Sequence, residues 1–167
     1  MQKSGIYAIV LLLFIMASCG GSSNESESAY EKLLQTADTL QKRNSNLSLT
    51  IDTLMKSHES LAQRFQAMDS VDTTWLETLA KHEVAMKTQK ATLDKNVTVF
   101  EGYNEFRNKR DQVTDAEFEA QISEMKQGHA QIRGQLDQIQ SQLKTMSDEH
   151  ESIHSDLKKM MEEKTEE

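Results

Sequence analysis

The fold follows from residues 30–68, whose sequence is YEKLLQTADTLQKRNSNLSLTIDTLMKSHESLAQRFQAM. Mostly apolar residues recur here at alternating intervals of three and four, a pattern typical of a helix that packs one face against partner helices. The seam consists of Tyr30, Leu33, Ala37, Leu40, Asn44, Leu47, Ile51, Leu54, His58, Leu61, Phe65 and Met68. The repeat predicts a helix over about 29–68, roughly 60 Å long.

The segment that follows, residues 69–74, consists of polar residues and one valine and interrupts this pattern. Thr74 and Glu77 have the spacing of a capping box, and Asp72 is an alternative N-cap. We therefore predict a break and a second helix over about 75–108, although one continuous helix is an alternative because the register carries through. Its weaker seam is Trp75, Leu79, Met86, Leu93 and Phe100, flanked by Leu76, Ala85, Val97 and Val99.

A second polar cluster, residues 108–113, is the best candidate for a turn. Thr114 and Glu117 again have capping-box spacing, which predicts a third helix over about 115–162. Its seam is regular and consists of Phe118, Ile122, Met125, His129, Ile132, Leu136, Ile139, Leu143, Met146, His150, Ile153, Leu157 and Met160.

The residues beside the seams indicate how the helices assemble. A two-stranded coiled coil usually carries charged residues there, whereas Leu34, Met55 and Ala62 flank the first seam. Wider apolar faces suit a helix with two neighbours. We predict an all-α fold, an elongated antiparallel three-helix bundle; a long helical hairpin that oligomerises along its first helix is the alternative. Asn44 in the seam is expected to fix the register of packing.

The first nineteen residues have a different character. Lys3 precedes a mostly apolar run over 6–17, and Met16-Ala17-Ser18-Cys19 closes it with the chain's only cysteine. Twelve helical residues rise about 18 Å, too little for a hydrocarbon core of about 30 Å. The length fits a processing signal better than a membrane span.

This region resembles a bacterial lipoprotein signal peptide, with Met16 where leucine is usual. The resemblance implies that residues 1–18 are removed and that Cys19 is lipidated and becomes the first residue of the mature protein. Residues 19–28 are then expected to form the lipidated end and a flexible tether, and 29–164 a helical domain. The resemblance places the protein at the outer membrane facing the periplasm; Glu25 and Glu27 make the cell surface an alternative.

The body is similar to small helical lipoproteins of Gram-negative bacteria. The residues that carry this likeness are the recurrent seam histidines and the helix starts at 72–75 and 114–118. It implies no known activity.

One motif suggests metal chemistry. His150-Glu151-Ser152-Ile153-His154 matches H-E-x-x-H, in which two histidines bind zinc and the glutamate activates a water molecule. His150 is a seam position, however, and no downstream third ligand stands at zincin spacing. Pairing the second and third helices about residue 111 puts His82 opposite the region of residue 140 and His58 beyond the third helix. The histidines are therefore not expected to converge.

Composition narrows the remaining functions. The formal net charge of −8 disfavours nucleic acid as a partner, and we find no phosphate-binding loop and no G-x-S-x-G motif. We expect a non-enzymatic lipoprotein without a cofactor or small-molecule substrate, acting as scaffold, spacer or protein-interaction module. Its partner is expected to be an envelope protein or a second copy. Metal binding through His150 and His154 is the alternative function, and zinc proteolysis a remote one.

Overall fold

The fold is described from a computed structural model, which describes residues 22–68 and 71–163. It contains three long helices, α1 (Ser22–Gln66), α2 (Thr73–Asn108) and α3 (Asp115–Glu163), with a short 3₁₀ helix (Arg110–Gln112) between α2 and α3. No strand occurs within these ranges. The predicted all-α three-helix bundle is confirmed, and so is the break before α2, which excludes one continuous helix.

Consecutive helices run antiparallel. Asn96 Nδ2 donates to Asn44 Oδ1 at 3.2 Å, and the Phe65 ring stacks on Trp75 with centroids 5.6 Å apart, so residues later in α1 meet residues earlier in α2. The contact between Gln89 and Gln142 relates α2 to α3 in the same sense as that between His82 and His150.

α1 also packs along α3, and these two helices run parallel. Arg43 pairs with Asp137 at 2.6 Å, and Arg64 contacts His154 at 3.0 Å. Because α1 packs against both other helices of its own chain, the hairpin alternative is excluded. At a rise of about 1.5 Å per residue, α3 gives the bundle a length of roughly 70 Å.

The start of α1 corrects the expected tether. Residues 22–28 are helical and belong to α1, whereas the sequence placed them in a flexible segment. Ser26 Oγ donates to a Glu119 carboxylate oxygen, and Arg110 Nη2 donates to Glu27 at 3.1 Å. The Arg110 guanidinium also lies 3.5 Å from the centroid of the Phe118 ring. These contacts tie the start of α1 to the turn between α2 and α3.

Polar caps set the starts of α2 and α3. Asp72, the alternative candidate, is the N-cap of α2, and its carboxylate accepts from the Thr74 backbone N–H at 2.8 Å. At the start of α3 the predicted capping box is confirmed. Glu117 accepts from the Thr114 N–H at 2.7 Å, and Thr114 Oγ1 accepts from the Glu117 N–H at 3.3 Å.

The seams of α1 and α3 form most of the core. Almost every predicted position on these helices is buried, and Ile51, Leu61, Met125 and Leu136 have no exposed surface. Three positions differ: Leu33 and His58 are only half-buried, and Met160 at the end of α3 is 37% exposed. Leu34, beside Leu33, is buried in its place.

On α2 the predicted seam residues Leu79, Met86, Leu93 and Phe100 are buried, but the residues that flank them differ from the expectation. Leu76, Val97 and Val99, predicted to widen its apolar face, are 46%, 38% and 39% exposed. The wider face is therefore not the reason that α2 touches both neighbours. Instead, apolar and polar side chains alternate along its buried surface. The polar ones recur at intervals of seven and are His82, Gln89, Asn96 and Tyr103. The bundle thus carries polar layers within its core.

Replacing either of two glycines of α3 by alanine is expected to change the stability of the protein, but in opposite directions. A Cβ at Gly128 would overlap the Tyr103 hydroxyl, whereas a Cβ at Gly134 would meet nothing within 4 Å. Because alanine favours a helix interior over glycine by about 1 kcal/mol, Gly134→Ala should stabilise the protein by roughly 0.5–1 kcal/mol. Gly128→Ala should destabilise it by about 1–2 kcal/mol, since overpacking outweighs helix propensity.

Urea denaturation of both variants measures this difference, and Tyr103→Phe provides the control. Removing the hydroxyl leaves only the Tyr103 Cζ position, at an ordinary 3.6 Å from the new methyl group. Gly128→Ala should therefore lose most of its cost in the Tyr103→Phe background. Equal stability changes at Gly128 and Gly134 would contradict the close approach.

Candidate functional site

Three histidines, one from each helix, occupy one layer of the bundle: His58 of α1, His82 of α2 and His150 of α3. We call this group the histidine layer. The ring centroids of His82 and His150 lie 5.0 Å apart, and those of His58 and His150 lie 5.7 Å apart. The prediction that the histidines do not converge is therefore wrong.

Two features of the packing explain this error. α1 runs parallel to α3, so His58 comes level with His150 in the way that Arg43 comes level with Asp137. The pairing of α2 with α3 is also centred later than residue 111, since the contacts of His82 with His150 and of Gln89 with Gln142 place its centre at about residue 116. His82 consequently faces His150 and not the region of residue 140.

A hydrogen-bonded chain runs from the surface into this layer. His82 Nε2 lies 2.5 Å from Glu149 Oε2, and His82 Nδ1 lies 3.1 Å from His150 Nε2. With neutral rings, His82 Nε2–H donates to the carboxylate and His150 Nε2–H donates to His82 Nδ1. The Nδ1 atoms of His58 and His150 are buried without a hydrogen-bond partner in the part of the chain that the structure describes.

Burial keeps the rings of His58 and His150 neutral. His150 is 2% exposed, and loss of solvent lowers its pKa from 6.5 to about 4, with smaller contributions from His82, His58 and His154. Burial also lowers the pKa of His58; Glu83 opposes this shift, while His82 and Lys87 add to it. Two of the three imidazoles are thus uncharged near neutral pH, because the interior disfavours their charged form.

The histidine layer separates two apolar clusters. The main cluster extends along most of the bundle and reaches Leu54, Met86 and Met146 on one side of the layer. On the other side lies the distal cluster, which we define as Leu61, Phe65, Leu79, Ile153 and Leu157, with Met68, Val71 and Trp75 packed against it. The layer therefore lies at the boundary between the two clusters.

The layer is also close to solvent on one side. Grooves on the surface between α1 and α2 are lined by His58, Ala62 and Glu83, and one of them continues to Phe65 and Leu79 of the distal cluster. Water can therefore approach His58 without passing through the main cluster.

The H-E-x-x-H residues have three different surroundings. His150 belongs to the histidine layer, Glu151 is exposed, and His154 is half-buried with its Nδ1 accepting from Arg64 Nη1 at 3.0 Å. An arginine on that nitrogen occupies the lone pair that a metal ion would use. No group of three or more His, Cys, Asp or Glu side chains within 22–68 and 71–163 is arranged to hold a metal ion.

The remaining buried histidine, His129, lies elsewhere in α3. Its ring packs edge-on against Tyr103 with centroids 5.3 Å apart, and burial, helped by Arg133, lowers its pKa. Neither ring nitrogen of His129 has a partner among the described residues. His129 is therefore a matched comparison for the histidine layer.

Two signals in the sequence could have revealed more of this site. His82, Gln89, Asn96 and Tyr103 follow one another at sevens, which marks a buried polar seam on α2. Glu149, the acceptor for His82, immediately precedes a seam histidine. Cys19, the predicted lipidation site, lies outside the described residues.

Comparison with known proteins identifies no relative: no family model, no curated protein and no solved structure matches the chain. Of the helices in the described ranges, none is both long and apolar enough to cross a membrane.

Proposed function

We propose that the protein is an envelope lipoprotein, anchored by lipid on Cys19, whose non-catalytic helical body acts as a scaffold, spacer or protein-interaction module. The observation that carries the proposal is the position of Cys19 at the end of the apolar run over 6–17. Lipidation explains a lone cysteine in an exported chain, where a free thiol is otherwise a liability.

The form of the body supports a spacer. α1 begins at Ser22, three residues after Cys19, and continues unbroken for 45 residues. Such a helix rises about 68 Å, so lipid at one end would leave the other end tens of ångströms from the bilayer. The turn between α2 and α3 would lie near the membrane, because Arg110 contacts Glu27. The distal cluster would be at the far end.

Anchoring of this kind needs more than one acyl chain. A single chain binds a bilayer only marginally, while each buried CH₂ adds about 0.8 kcal/mol, so two or three chains on Cys19 hold a protein stably. We place the protein at the outer membrane facing the periplasm, with the cell surface as the alternative. Its partner is an envelope protein or a second copy of the chain.

Mass spectrometry of the mature N-terminus tests the anchor. We expect the first residue to be Cys19, carrying a diacylglycerol thioether and an acylated amine. A mature protein that begins at another residue, or an unmodified Cys19, would contradict the proposal.

Crosslinking in intact envelopes tests the scaffold role. The protein should be recovered in a stable complex with a partner or with itself, and recovery only as a monomer would count against it. Protease treatment of intact cells then distinguishes the two locations, since only surface-exposed protein is degraded.

A further inference from the structure

We propose that the histidine layer is an acid-sensitive joint: as the pH falls, protonation of the layer detaches the distal cluster from the main cluster, and the far end of the bundle opens while the rest stays folded. This inference goes beyond the proposed function and does not depend on lipidation of Cys19.

The short distance between the rings makes the protonated layer unstable. His82 Nδ1 and His150 Nε2 are 3.1 Å apart, and the His58 ring lies against the same His150 ring. If both His82 and His150 carry protons on both nitrogens, these two atoms become facing donors with no acceptor between them. Like charges at this distance in a partly desolvated interior repel strongly.

The surrounding charges cannot neutralise three imidazolium groups. Glu149 of α3 accepts from His82, and Glu83 of α2 favours the charged form of His58, while Lys87 of α2 disfavours it. The charged and titratable groups that face the layer are Lys56, Glu59 and Arg64 from α1, Glu83 and Lys87 from α2, and Glu149 and His154 from α3. The three carboxylates near the layer are thus offset by three cations, which leaves no net negative charge for the imidazolium groups.

The opening should be local because of where the layer lies. The distal cluster contains far fewer apolar side chains than the main cluster, and it lies where α1 ends, α2 begins and α3 approaches its own end. Sub-global opening of this kind is expected where few buried contacts hold a segment. The main cluster lies on the other side of the layer. It should therefore keep its own packing when the far end opens.

The direction of the pH effect follows from linkage. In the closed state the pKa of His150 is about 4 and that of His58 is lowered, whereas solvent-exposed histidines have the ordinary value of 6.5. The open state therefore binds more protons. Below about pH 6.5, His58 and His150 each make opening up to about ten-fold more favourable for every pH unit. This pH dependence ends near the lowered pKa of each histidine, because the closed state also binds the proton there.

Trp75 reports the opening because it is the only tryptophan in the chain and packs against the distal cluster. Its ring stacks on Phe65 with an interplanar angle of 12°. We would record its fluorescence on the full chain in detergent from about pH 8 to about pH 4.5, together with far-UV circular dichroism. The emission should shift to the red with a midpoint between about pH 6.5 and about pH 4.5, above the lowered pKa of His150, while most of the helical signal remains.

Leucine variants separate the layer from other acid effects. Combining His58→Leu, His82→Leu and His150→Leu replaces the layer by apolar side chains of similar volume, a change that is often neutral or stabilising. The Trp75 emission of this variant should no longer depend on pH over the same range. His129→Leu is the matched control, because His129 packs against Tyr103 of the main cluster, and it should leave the Trp75 transition unchanged.

Three results would overturn the proposal: a Trp75 emission that does not change with pH, a transition that persists unchanged in the triple variant, or one that coincides with loss of all helical structure. If the triple variant does not fold, His150→Leu alone decides, because removing the most strongly shifted histidine should move the midpoint to lower pH. An unchanged midpoint in that variant would reject the joint.

Discussion

Cys19→Ser is expected to leave the protein without its membrane anchor. Serine is nearly the same size as cysteine but has no thiol for the diacylglycerol, so the lipidation implied by 16–19 cannot occur. Without acyl chains, nothing predicted in the mature chain replaces the lost membrane affinity, to which each buried CH₂ contributes about 0.8 kcal/mol. Membrane fractionation followed by immunoblotting should show loss of nearly all the mature, membrane-bound form.

A matched control separates this effect from damage to the signal. Ser18→Ala keeps a small residue before the cysteine and should remain lipidated and membrane-bound. Cys19→Ser should retain its helical circular dichroism, because Cys19 precedes α1 (Ser22–Gln66). A Cys19→Ser protein that is cleaved after residue 18 and still sediments with membranes would refute the lipoprotein proposal.

The helices could be predicted because their signals are local and repeated. On α3, the four-three spacing from Phe118 to Leu157 identifies the buried face over most of the helix. Residues 22–28 show the limit of this approach. Their serines and glutamates favour a tether by composition, but the contacts of Ser26 and Glu27 with Glu119 and Arg110 are tertiary and cannot be inferred from local sequence.

α2 could be predicted in extent and in the apolar half of its buried face, but not in the polar half. Val97 and Val99 are apolar and exposed, whereas Asn96, which precedes them, is polar and 4% exposed. A hydropathy argument ranks these three residues in the opposite order. Asn96 is buried because it finds a polar partner in Asn44 across the interface. Asn44 Oδ1 accepts from Asn96, and Asn44 Nδ2 donates to the Leu93 carbonyl.

The histidine layer depends on register between helices. Each histidine could be assigned to a buried face from its spacing, but whether His58 meets His150 depends on the length of two connections and on the parallel direction of α1 and α3. A change of one turn moves a residue about 5.4 Å along the axis, enough to separate side chains that would otherwise touch. The sequence leaves that quantity open.

Leu136→Ala is expected to give the largest loss of stability among the substitutions considered. Leu136 has no exposed surface and belongs to the main cluster, so alanine leaves a cavity that the packed backbones of the bundle fill only in part. Removing a buried leucine in this way costs about 3–4 kcal/mol. Leu49→Ala, at a leucine that is 65% exposed, should change stability by less than about 0.5 kcal/mol. Urea denaturation followed at 222 nm measures both.

Leu61→Ala makes the same chemical change in the distal cluster, where Leu61 also has no exposed surface. If the two clusters open separately, the Trp75 emission of this variant should shift to the red at a higher pH than in the native protein. The urea midpoint of its main helical transition should change little. Leu136→Ala should show the reverse, with a lowered urea midpoint and a Trp75 pH midpoint that stays close to native while the main cluster remains folded. Identical behaviour of the two variants in both measurements would mean that the bundle unfolds as one cooperative unit, because a single transition has no joint to which the histidines could be assigned.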